Sequence, residues 1–399
     1  MNIRLRQLSC FKSPLFCATI PYMKILSIET SCDETAIALV EVDVSQTHIK
    51  AQEIQTELFS QIDIHKEFGG VFPAIAKREH AIHLPILLQK ILKKNSEETS
   101  HEVNWSVIEE LLSREIGLFE TTKKLLESSQ KPDIDMIAVT QGPGLEPALW
   151  VGISFARALS YYWNIPLVGT NHMKGHIFSV LLNQTEIQFP ALALLLSGGH
   201  TEIVELNSLS DFKILGKTKD DAVGESYDKV ARMMGYEYPG GPKVAQLAQQ
   251  ARDTNILSGD IKLPRPMMHS KDFDFSFSGL KTAVLYTIRD LEHIDDSIHM
   301  NIAHEFEQSV TDVILHKLQK VLEHKEYKSL IVSGGVIANT YLRSQIEKLS
   351  IKQNIPLLFP KINDSTDNAQ MIAVAGAIES LTQNSQINPE LKAQGYLEY

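Results

Sequence analysis

Short apolar runs alternate with longer stretches in which apolar residues recur at helical spacing, from Met23 to the end of the chain. Short runs of this kind predict buried strands, and the longer pattern predicts amphipathic helices. We expect strands at 24–29, 36–42, 135–140, 166–169, 191–197, 202–206, 329–333 and 356–359, with helices such as 77–93, 151–163, 301–323 and 367–381 between them. This alternation is typical of an α/β protein.

One pattern occurs twice along the chain. A buried strand at 25–29 is followed by a small polar turn and a returning strand at 35–42, and the same succession runs from 193 to 206 through Ser197-Gly198-Gly199-His200. A repeated hairpin of this kind indicates two similar lobes, whose facing turns would form a cleft between them.

Two segments fall outside this pattern. Residues 1–22 contain three basic residues and no acidic one, which is typical of a transit peptide or a leader upstream of the fold. Residues 94–131 are rich in Glu, Ser and Lys and carry apolar residues at helical spacing, which predicts an inserted amphipathic helix. That helix either packs on its own lobe or binds a partner, and the sequence leaves both interpretations open.

Composition and charge narrow the class of protein. The chain has 399 residues and a net charge of -11, so a nucleic-acid partner would need a local basic patch or another subunit. The three cysteines do not form a disulfide framework, and a reducing compartment is expected. No apolar run reaches the ~18 residues that a membrane span needs, so we expect a soluble protein without a membrane partner.

His172 and His176 stand four residues apart, which places both imidazoles on one face of a helix. Such a pair can bind one metal ion, although structural histidines also occur at this spacing. A third ligand would come from the acidic helix start at 363–368, where Asp364 and Asp367 are the candidates; the same carboxylates could instead cap the helix.

Two hydrolase classes are excluded by single positions. A zinc protease of the His-Glu-x-x-His type needs a glutamate where this chain has Met173. Neither Ser197 nor Ser333 lies in a Gly-x-Ser-x-Gly motif, which excludes that serine hydrolase pattern.

Four turns of small residues fit phosphate binding, because glycines let backbone amides approach an anion without obstruction by a Cβ. Two follow buried strands at 195–199 and 331–335, and the others lie at 30–32 and 141–145. Asp228 could accept the hydroxyls of a ribose, and the turn at Gly240-Gly241 could receive a flat base, although both fit an ordinary surface. Together these turns predict a nucleotide in the cleft.

The ordered motifs resemble those of the TsaD family of tRNA threonylcarbamoyltransferases. The similarity runs from Met23 to about Glu379 and rests on nine segments: 29–35, 142–145, 172–176, 197–201, 228–229, 238–242, 274–282, 334–336 and 366–368.

The resemblance implies an α/β actin-like ATPase (ASKHA) fold whose two lobes each contain a duplicated RNase H-like core. Lobe I would span 23–170 with the insertion at 94–131, lobe II 171–366, and residues 367–399 would return to lobe I. It also implies transfer of threonylcarbamoyl from threonylcarbamoyl-AMP to N6 of adenosine 37 in tRNAs that read codons beginning with A, with AMP released.

Carried over by position, the family's site consists of three groups of residues. The metal ligands would be His172, His176 and Asp367, holding one divalent ion per subunit, iron (Fe²⁺) or zinc. The adenylate, or ATP and ADP in the same site, would contact Leu195, Leu196, Ser197, Gly198, Gly199, Asp228, Gly241 and Asn339. Asp33 and Glu34 are candidates for taking the proton of the attacking amine, or they only order their turn.

The resemblance also implies partners. These are the tRNA substrate together with a TsaB-like paralogue and a TsaE-like ATPase in a bacterium, or a second copy of the chain in a mitochondrion. We accordingly expect the cytoplasm, with the mitochondrion as the alternative if 1–22 is a transit peptide. Two other functions remain open at this point: a small-molecule kinase or ATPase of the same fold, and a non-catalytic nucleotide-binding assembly subunit.

Overall fold

Two five-stranded β-sheets with the same strand order organise the chain in the computed structural model, which describes residues 22–44, 49–93, 103–183, 186–254, 261–291, 295–382 and 390–399. The first sheet has the order β3-β2-β1-β4-β5 and contains β1 (Tyr22–Glu29), β2 (Glu34–Val44), β3 (Ile49–Ser60), β4 (Met136–Gly142) and β5 (Leu167–Asn171). The second has the order β10-β9-β6-β7-β8 and contains β6 (Ala191–Leu196), β7 (Thr201–Leu206), β8 (Phe212–Lys217), β9 (Ser329–Ser333) and β10 (Leu357–Leu358).

The strand directions are also the same in the two sheets. β1, β2 and β3 are antiparallel neighbours, whereas β1–β4 and β4–β5 are parallel. β6, β7 and β8 repeat the antiparallel part, and β6–β9 and β9–β10 repeat the parallel part. The predicted α/β architecture with a duplicated core is confirmed.

Twelve α-helices connect and cover the sheets in the part of the chain described. They are α1 (Ile62–Lys66), α2 (Pro73–Ile91), α3 (Trp105–Leu112), α4 (Leu118–Glu127), α5 (Glu146–Trp163), α6 (His172–Phe178), α7 (Val223–Met233), α8 (Gly241–Thr254), α9 (Ser278–Asp290), α10 (Asp296–His324), α11 (Thr340–Lys352) and α12 (Ala369–Thr382). Judged over the same residues, none of these helices combines the length and the apolar character needed to cross a bilayer.

A central helical layer between the two sheets positions the candidate site. α12 packs on β1 and β2 of the first sheet, and α6 packs on α12 and on β6 and β9 of the second. One buried apolar cluster accordingly joins both sheets, with Ile25 and Ala38 on one side, Ala193 and Leu195 on the other and Ile372 between them. The burial of apolar surface on both faces of this layer is what holds the two sheets together.

Three strands differ from the sequence prediction. Strands β3 and β8 were not predicted; β3 is a largely exposed edge strand of mixed polarity, and β8 is a short edge strand with one buried residue. β1 begins at Tyr22, two residues before the predicted strand at 24–29, because backbone pairing with Asp43 continues past the apolar pattern. The remaining residues of the predicted leader, 1–21, lie outside the described residues.

The insertion at 94–131 forms two helices, not the single predicted one. Gly117 adopts φ +81° between α3 and α4, a left-handed conformation that ends helical geometry. Ile116, one of the apolar residues at helical spacing in this segment, is fully exposed at this break. The two helices pack on α5 and α2, next to the first sheet, through residues such as Ile108 and Leu112.

Candidate metal centre

Helix α6 presents the two histidines to the interior. Asn171 caps its first turn, because the side-chain oxygen accepts hydrogen bonds from the backbone amides of Met173 and Lys174. Since His172 and His176 are one turn apart, both imidazoles lie on the same face, and both side chains are buried.

Asp367 brings a carboxylate to this pair from the start of α12. Its Oδ1 lies 3.4 Å from His172 Nε2 and 3.0 Å from His176 Nε2. One potential ligand atom from each of the three residues lies within 4.8 Å of the others. The structure therefore joins the residues that the sequence proposed as ligands from positions almost two hundred residues apart.

The alternative interpretation of the acidic segment, helix capping, applies to its neighbour. Asn368 Oδ1 accepts the hydrogen bond from Met371 N and so caps α12. Because Asn368 supplies the cap, Asp367 is free to face the histidines. Asp364 instead lies in a short 3₁₀ turn (Ile362–Asp364) three residues earlier in the chain.

The donor set fits a divalent transition metal. Both ring nitrogens of His176 are buried and form no hydrogen bond within the described part of the chain, although Nε2 faces Asp367 at 3.0 Å. Imidazole nitrogens and a carboxylate directed at one point are ligands that suit iron or zinc, and three of them leave coordination positions open. His172, His176 and Asp367 could therefore hold such an ion.

Glu29 lies behind His172 and was not singled out from the sequence. Its Oε2 is 3.1 Å from His172 Nδ1 and also accepts a hydrogen bond from Thr140 Oγ1, and its Oε1 accepts one from Ser31 N. A carboxylate bound to the second ring nitrogen fixes the orientation of a ligating histidine. The signal in the sequence was an acidic residue at the end of an otherwise apolar strand.

The charges of the site favour a cation. Burial acts to lower the pKa of His172, but the charges of Asp367 and Glu29 outweigh it and raise the pKa well above the usual range. Burial acts to raise the pKa of Asp367, and His172 holds it well below its usual range. Two buried carboxylates thus attract positive charge to the imidazoles, which a metal ion would supply in place of a proton.

The turn after β1 brings Asp33 and Glu34 to the edge of this centre. Burial, the charge of Asp33 and then that of Asp367 raise the pKa of Glu34 well above its usual value. Tyr238 directs its hydroxyl at Asp33 Oδ2 from the second half of the chain, at 3.5 Å. A carboxyl group whose pKa is raised can act as a neutral hydrogen-bond donor beside a second carboxyl group that accepts a proton.

The turn after β6, at 197–200, also lies near the centre. His172, His176 and Asp367 are close enough to His200 for their charges to act on it, and burial lowers its pKa to about 4. A Cβ added at Gly198 or Gly199 would meet no atom within 4 Å, so the turn has open space above it.

The other three predicted small-residue turns pack closely on the chain. Gly334 adopts φ +94°, and a Cβ there would stand 2.4 Å from Leu196 O, so the turn at 331–335 supports the one at 195–199 from behind. Leu145 N donates to Ser31 O at 2.8 Å, which joins the loop at 141–145 to the turn at 30–32. The four turns therefore form two contacting pairs, one beside each sheet.

The remaining predicted adenylate residues lie in the second half of the chain. Asp228 Oδ1 accepts hydrogen bonds from the amides of Gly240 and Gly241, at 2.7 and 3.0 Å, and so fixes the glycine turn. Asn339 caps α11 through Leu342 N, and its Nδ2 donates to the buried Glu307 at 2.6 Å. Glu307 was missed from the sequence because it lies inside the long helix α10.

Comparison with known proteins gives one family. The sequence model of the family described as TsaD, tRNA N6-adenosine threonylcarbamoyltransferase, matches residues 52–101 and 117–374. A protein of that name from Thermosipho melanesiensis is 42% identical over 354 residues, covering 89% of this chain and 94% of the relative. Another from Bacillus cereus is 41% identical over 356 residues, covering 89% and 90%.

Similarity to solved structures is weaker. The crystal structure of T. kodakarensis HypF aligns with a TM-score of 0.48 at 14% identity, covering 67% of this chain and 43% of that one. A likeness at this level carries no argument about function.

Proposed function

This chain belongs to the tRNA N6-adenosine threonylcarbamoyltransferase family, and we propose that it performs the family's acyl transfer at the centre formed by His172, His176 and Asp367. The enzyme acts in the synthesis of threonylcarbamoyladenosine in tRNA. The observation that carries the proposed site is the convergence of two imidazoles and a carboxylate, from α6 and from the start of α12, within 4.8 Å.

We propose threonylcarbamoyl-AMP as the donor and N6 of adenosine 37 as the acceptor. The amine nitrogen attacks the carbonyl carbon of the mixed anhydride, the bond from that carbon to the phosphate oxygen breaks, AMP leaves, and one proton is lost from the amine. The donor is already activated, so the protein mainly orients the amine, stabilises charge and excludes water.

The metal would be held by His172, His176 and Asp367, with Glu29 fixing the ring of His172. An iron or zinc ion bound there supplies Lewis acidity to an oxygen of the donor. The two turns beside it come from the two halves of the duplicated fold, so donor and acceptor groups can be presented from opposite sides.

The adenylate would lie along the turn at 195–199. Gly198 and Gly199 have open space above them, so backbone amides there can meet a phosphate without a side chain in the way. Asp228 uses Oδ1 to hold Gly240 and Gly241, and its second oxygen would receive the ribose hydroxyls. Asn339, fixed by Glu307, would border the same pocket.

Asp33 is the proposed proton acceptor. A raised pKa keeps Glu34 protonated to a higher pH than an ordinary carboxyl group, which suits Glu34 to the role of hydrogen-bond donor and leaves Asp33 as the candidate acceptor. The proton of the attacking amine would pass to Asp33, while Glu34 donates a hydrogen bond.

A labelled-transfer assay tests the proposal. Wild-type protein, with and without TsaB-like and TsaE-like partners, would be given labelled threonylcarbamoyl-AMP and an anticodon stem-loop containing adenosine 37. His176→Ala should lose bound metal and at least about 100-fold in transfer. Asp33→Asn should keep the metal and lose about 100-fold or more. His324→Ala changes an exposed histidine and should retain both properties.

The outcomes separate the alternatives. Transfer by wild type and His324→Ala but not by His176→Ala supports the proposed centre. Full transfer by metal-free His176→Ala would contradict it. Absence of transfer under every condition, together with magnesium-dependent phosphorylation of a small molecule, would favour a kinase of the same fold, although the histidine pair has no role in that chemistry.

The partners and the cellular location are proposals of the same kind. The net charge of -11 supports the view that other subunits help to hold the tRNA. We infer the TsaB-like and TsaE-like assembly and the cytoplasm for a bacterial protein, and a homodimer in the mitochondrion otherwise. Transfer measured with and without the added subunits distinguishes these assemblies.

A further inference from the structure

A network of buried hydrogen bonds connects the segment before α2 to the turn that carries Asp33 and Glu34. Gln61, His65 and His80 form it, and each of these polar side chains is fully buried. The proposed reaction uses none of the three. Buried polar groups require partners, so their partners show what they hold in place.

The first part of this hydrogen-bond network lies between β3 and α2. Phe72 N donates to His65 Nδ1 at 3.3 Å, and His65 Nε2 lies 3.2 Å from Gln61 Oε1. Gln61 Nε2 is 3.4 Å from Thr35 Oγ1 and 3.3 Å from His80 Nδ1.

The second part of the hydrogen-bond network ends on the backbone of the turn that carries Asp33 and Glu34. His80 Nε2 lies 3.0 Å from the carbonyl oxygen of Cys32, and Thr35 Oγ1 lies 2.7 Å from His80 Nδ1. Gln61 N donates to the carbonyl oxygen of Asp33 at 2.9 Å. Four contacts from Gln61 and His80 thus hold the residues on both sides of Asp33 and Glu34.

The hydrogen atoms of this network have one consistent arrangement. A carbonyl oxygen only accepts, so His80 Nε2 carries the hydrogen and Nδ1 accepts from the Thr35 hydroxyl. His65 Nδ1 accepts from an N–H, so His65 Nε2 donates to Gln61 Oε1, which leaves the Gln61 amide nitrogen as a donor toward Thr35 and His80. Burial lowers the pKa of His80 to about 4, which keeps this neutral form at physiological pH.

We propose that Gln61 and His80 are positioning residues that hold the turn from Cys32 to Thr35, and with it the carboxyl groups of Asp33 and Glu34, in the geometry that the transfer needs. This rests on the proposed function only in the role given to those two carboxyl groups. The side chains of Gln61 and His80 act through the backbone and through Thr35, without contact with the substrates.

The experiment compares His80→Phe, His80→Gln and His83→Phe. Phenylalanine keeps a ring at position 80 but removes both hydrogen bonds, whereas glutamine can still donate to the Cys32 carbonyl. His83 lies one turn further along α2, stacks on Phe59 with a centroid distance of 3.5 Å and makes no hydrogen bond to the turn within the described part of the chain, so phenylalanine there is a matched control. kcat, KM for threonylcarbamoyl-AMP, bound metal and melting temperature would be measured for each.

His80→Phe should lower kcat about 100-fold with KM and metal content unchanged, as expected for a displacement of about 1 Å at the reacting groups. His80→Gln should recover at least about a tenth of the wild-type kcat, and His83→Phe should match wild type. Thr35→Val, which removes the hydroxyl while keeping the shape, should lower kcat in the same direction and serves if His80→Phe does not fold.

Three results would overturn the inference: wild-type kcat in His80→Phe or in Thr35→Val, a loss that follows metal content or unfolded fraction, or no recovery in His80→Gln. Failure of the proposed function is distinguishable, because wild type itself would then give no transfer. If the wild-type protein performs the transfer and the variants at positions 80 and 35 have the same kcat, only the positioning role is contradicted.

Discussion

Glu29 shows how a single buried carboxylate organises its surroundings. It is fully buried and accepts hydrogen bonds from Thr140 Oγ1 and Ser31 N while facing His172 Nδ1. These bonds tie β1, β4 and the adjoining turn to the first histidine of α6. A buried charge with several partners is stable only while all of them are present.

Glu29→Gln should therefore weaken metal binding without removing a ligand. We expect the dissociation constant for zinc or iron to rise about 10- to 100-fold, because the amide holds the ring of His172 less firmly and supplies no negative charge. Competition with a chromophoric chelator measures this constant directly. Glu57→Gln, on the edge strand β3, is the matched control and should leave it unchanged; equal constants for the two variants would contradict the role of Glu29.

The pKa of His80 gives a pH dependence of stability. Its value is about 4 in the folded protein and about 6.5 in an unfolded chain, so between these values the unfolded state binds more protons. The stability contribution is complete above pH ~6.5 and is lost as the pH falls toward 4, by about 3 kcal/mol in total. Urea unfolding at several pH values should show this fall, and His80→Gln should flatten it; parallel curves would refute the assignment.

At the scale of single residues, the sequence predicted the chemistry that depends on local spacing. The four-residue interval fixed His172 and His176 on one helix face, and the acidic helix start pointed to Asp367. Glu29, Gln61 and His80 were not predicted, because their roles arise from tertiary contacts and their positions lie in or next to apolar patterns.

At the scale of elements, prediction succeeded where burial imposed a clear pattern. The central strands β1, β4, β6 and β9 are almost wholly buried and read as apolar runs. Edge strand β3 shows little alternation of apolar and polar residues, because most of its residues are partly or fully exposed. Its pairing with β2 is a tertiary contact, which a local sequence pattern does not reveal. The break between α3 and α4 depends on one glycine whose left-handed conformation periodicity does not reveal.

Gly334 provides a prediction about how one turn supports another. Gly334→Ala places a Cβ 2.4 Å from Leu196 O at φ +94°, so it should lower the free energy of unfolding by more than about 1 kcal/mol. Gly199→Ala is the matched control, since a Cβ there meets nothing within 4 Å, and it should stay within about 0.5 kcal/mol of wild type. Chemical denaturation of both variants measures the difference; equal midpoints would contradict the packing argument.

At the scale of the whole molecule, the repeated hairpin predicted the duplicated fold, and the two sheets share order and direction. The boundaries of the lobes, 23–170, 171–366 and 367–399, stay a prediction. The last residues contact both halves: Gln394 N donates to Gln141 O, and Tyr399 donates to Glu202 at 2.8 Å and stacks on Phe212. This segment has neither helical nor strand periodicity, so its contacts with both halves could not be predicted from a local pattern.

Tyr399 tests how much this segment contributes to stability. Tyr399→Phe keeps the ring against Phe212 and loses the hydrogen bond to Glu202, and should destabilise the protein by about 1 kcal/mol. Tyr399→Ala also loses the stacked ring and should cost about 2–3 kcal/mol. Denaturant midpoints of the two variants measure this; no effect of Tyr399→Ala would show that the segment does not brace the two halves.

The wide separation of the three candidate ligands has a consequence for biosynthesis. Asp367 follows His176 by 191 residues, and at about 5–20 residues per second a ribosome needs on the order of 10–40 s to add them. The helix that begins after Asp367 also covers β1 and β2, which are made first. A nascent chain thus exposes part of its first sheet and offers a metal only two imidazoles until Asp367 and the helix after it have been made, so a finished centre reports that both halves of the duplicated fold have been synthesised.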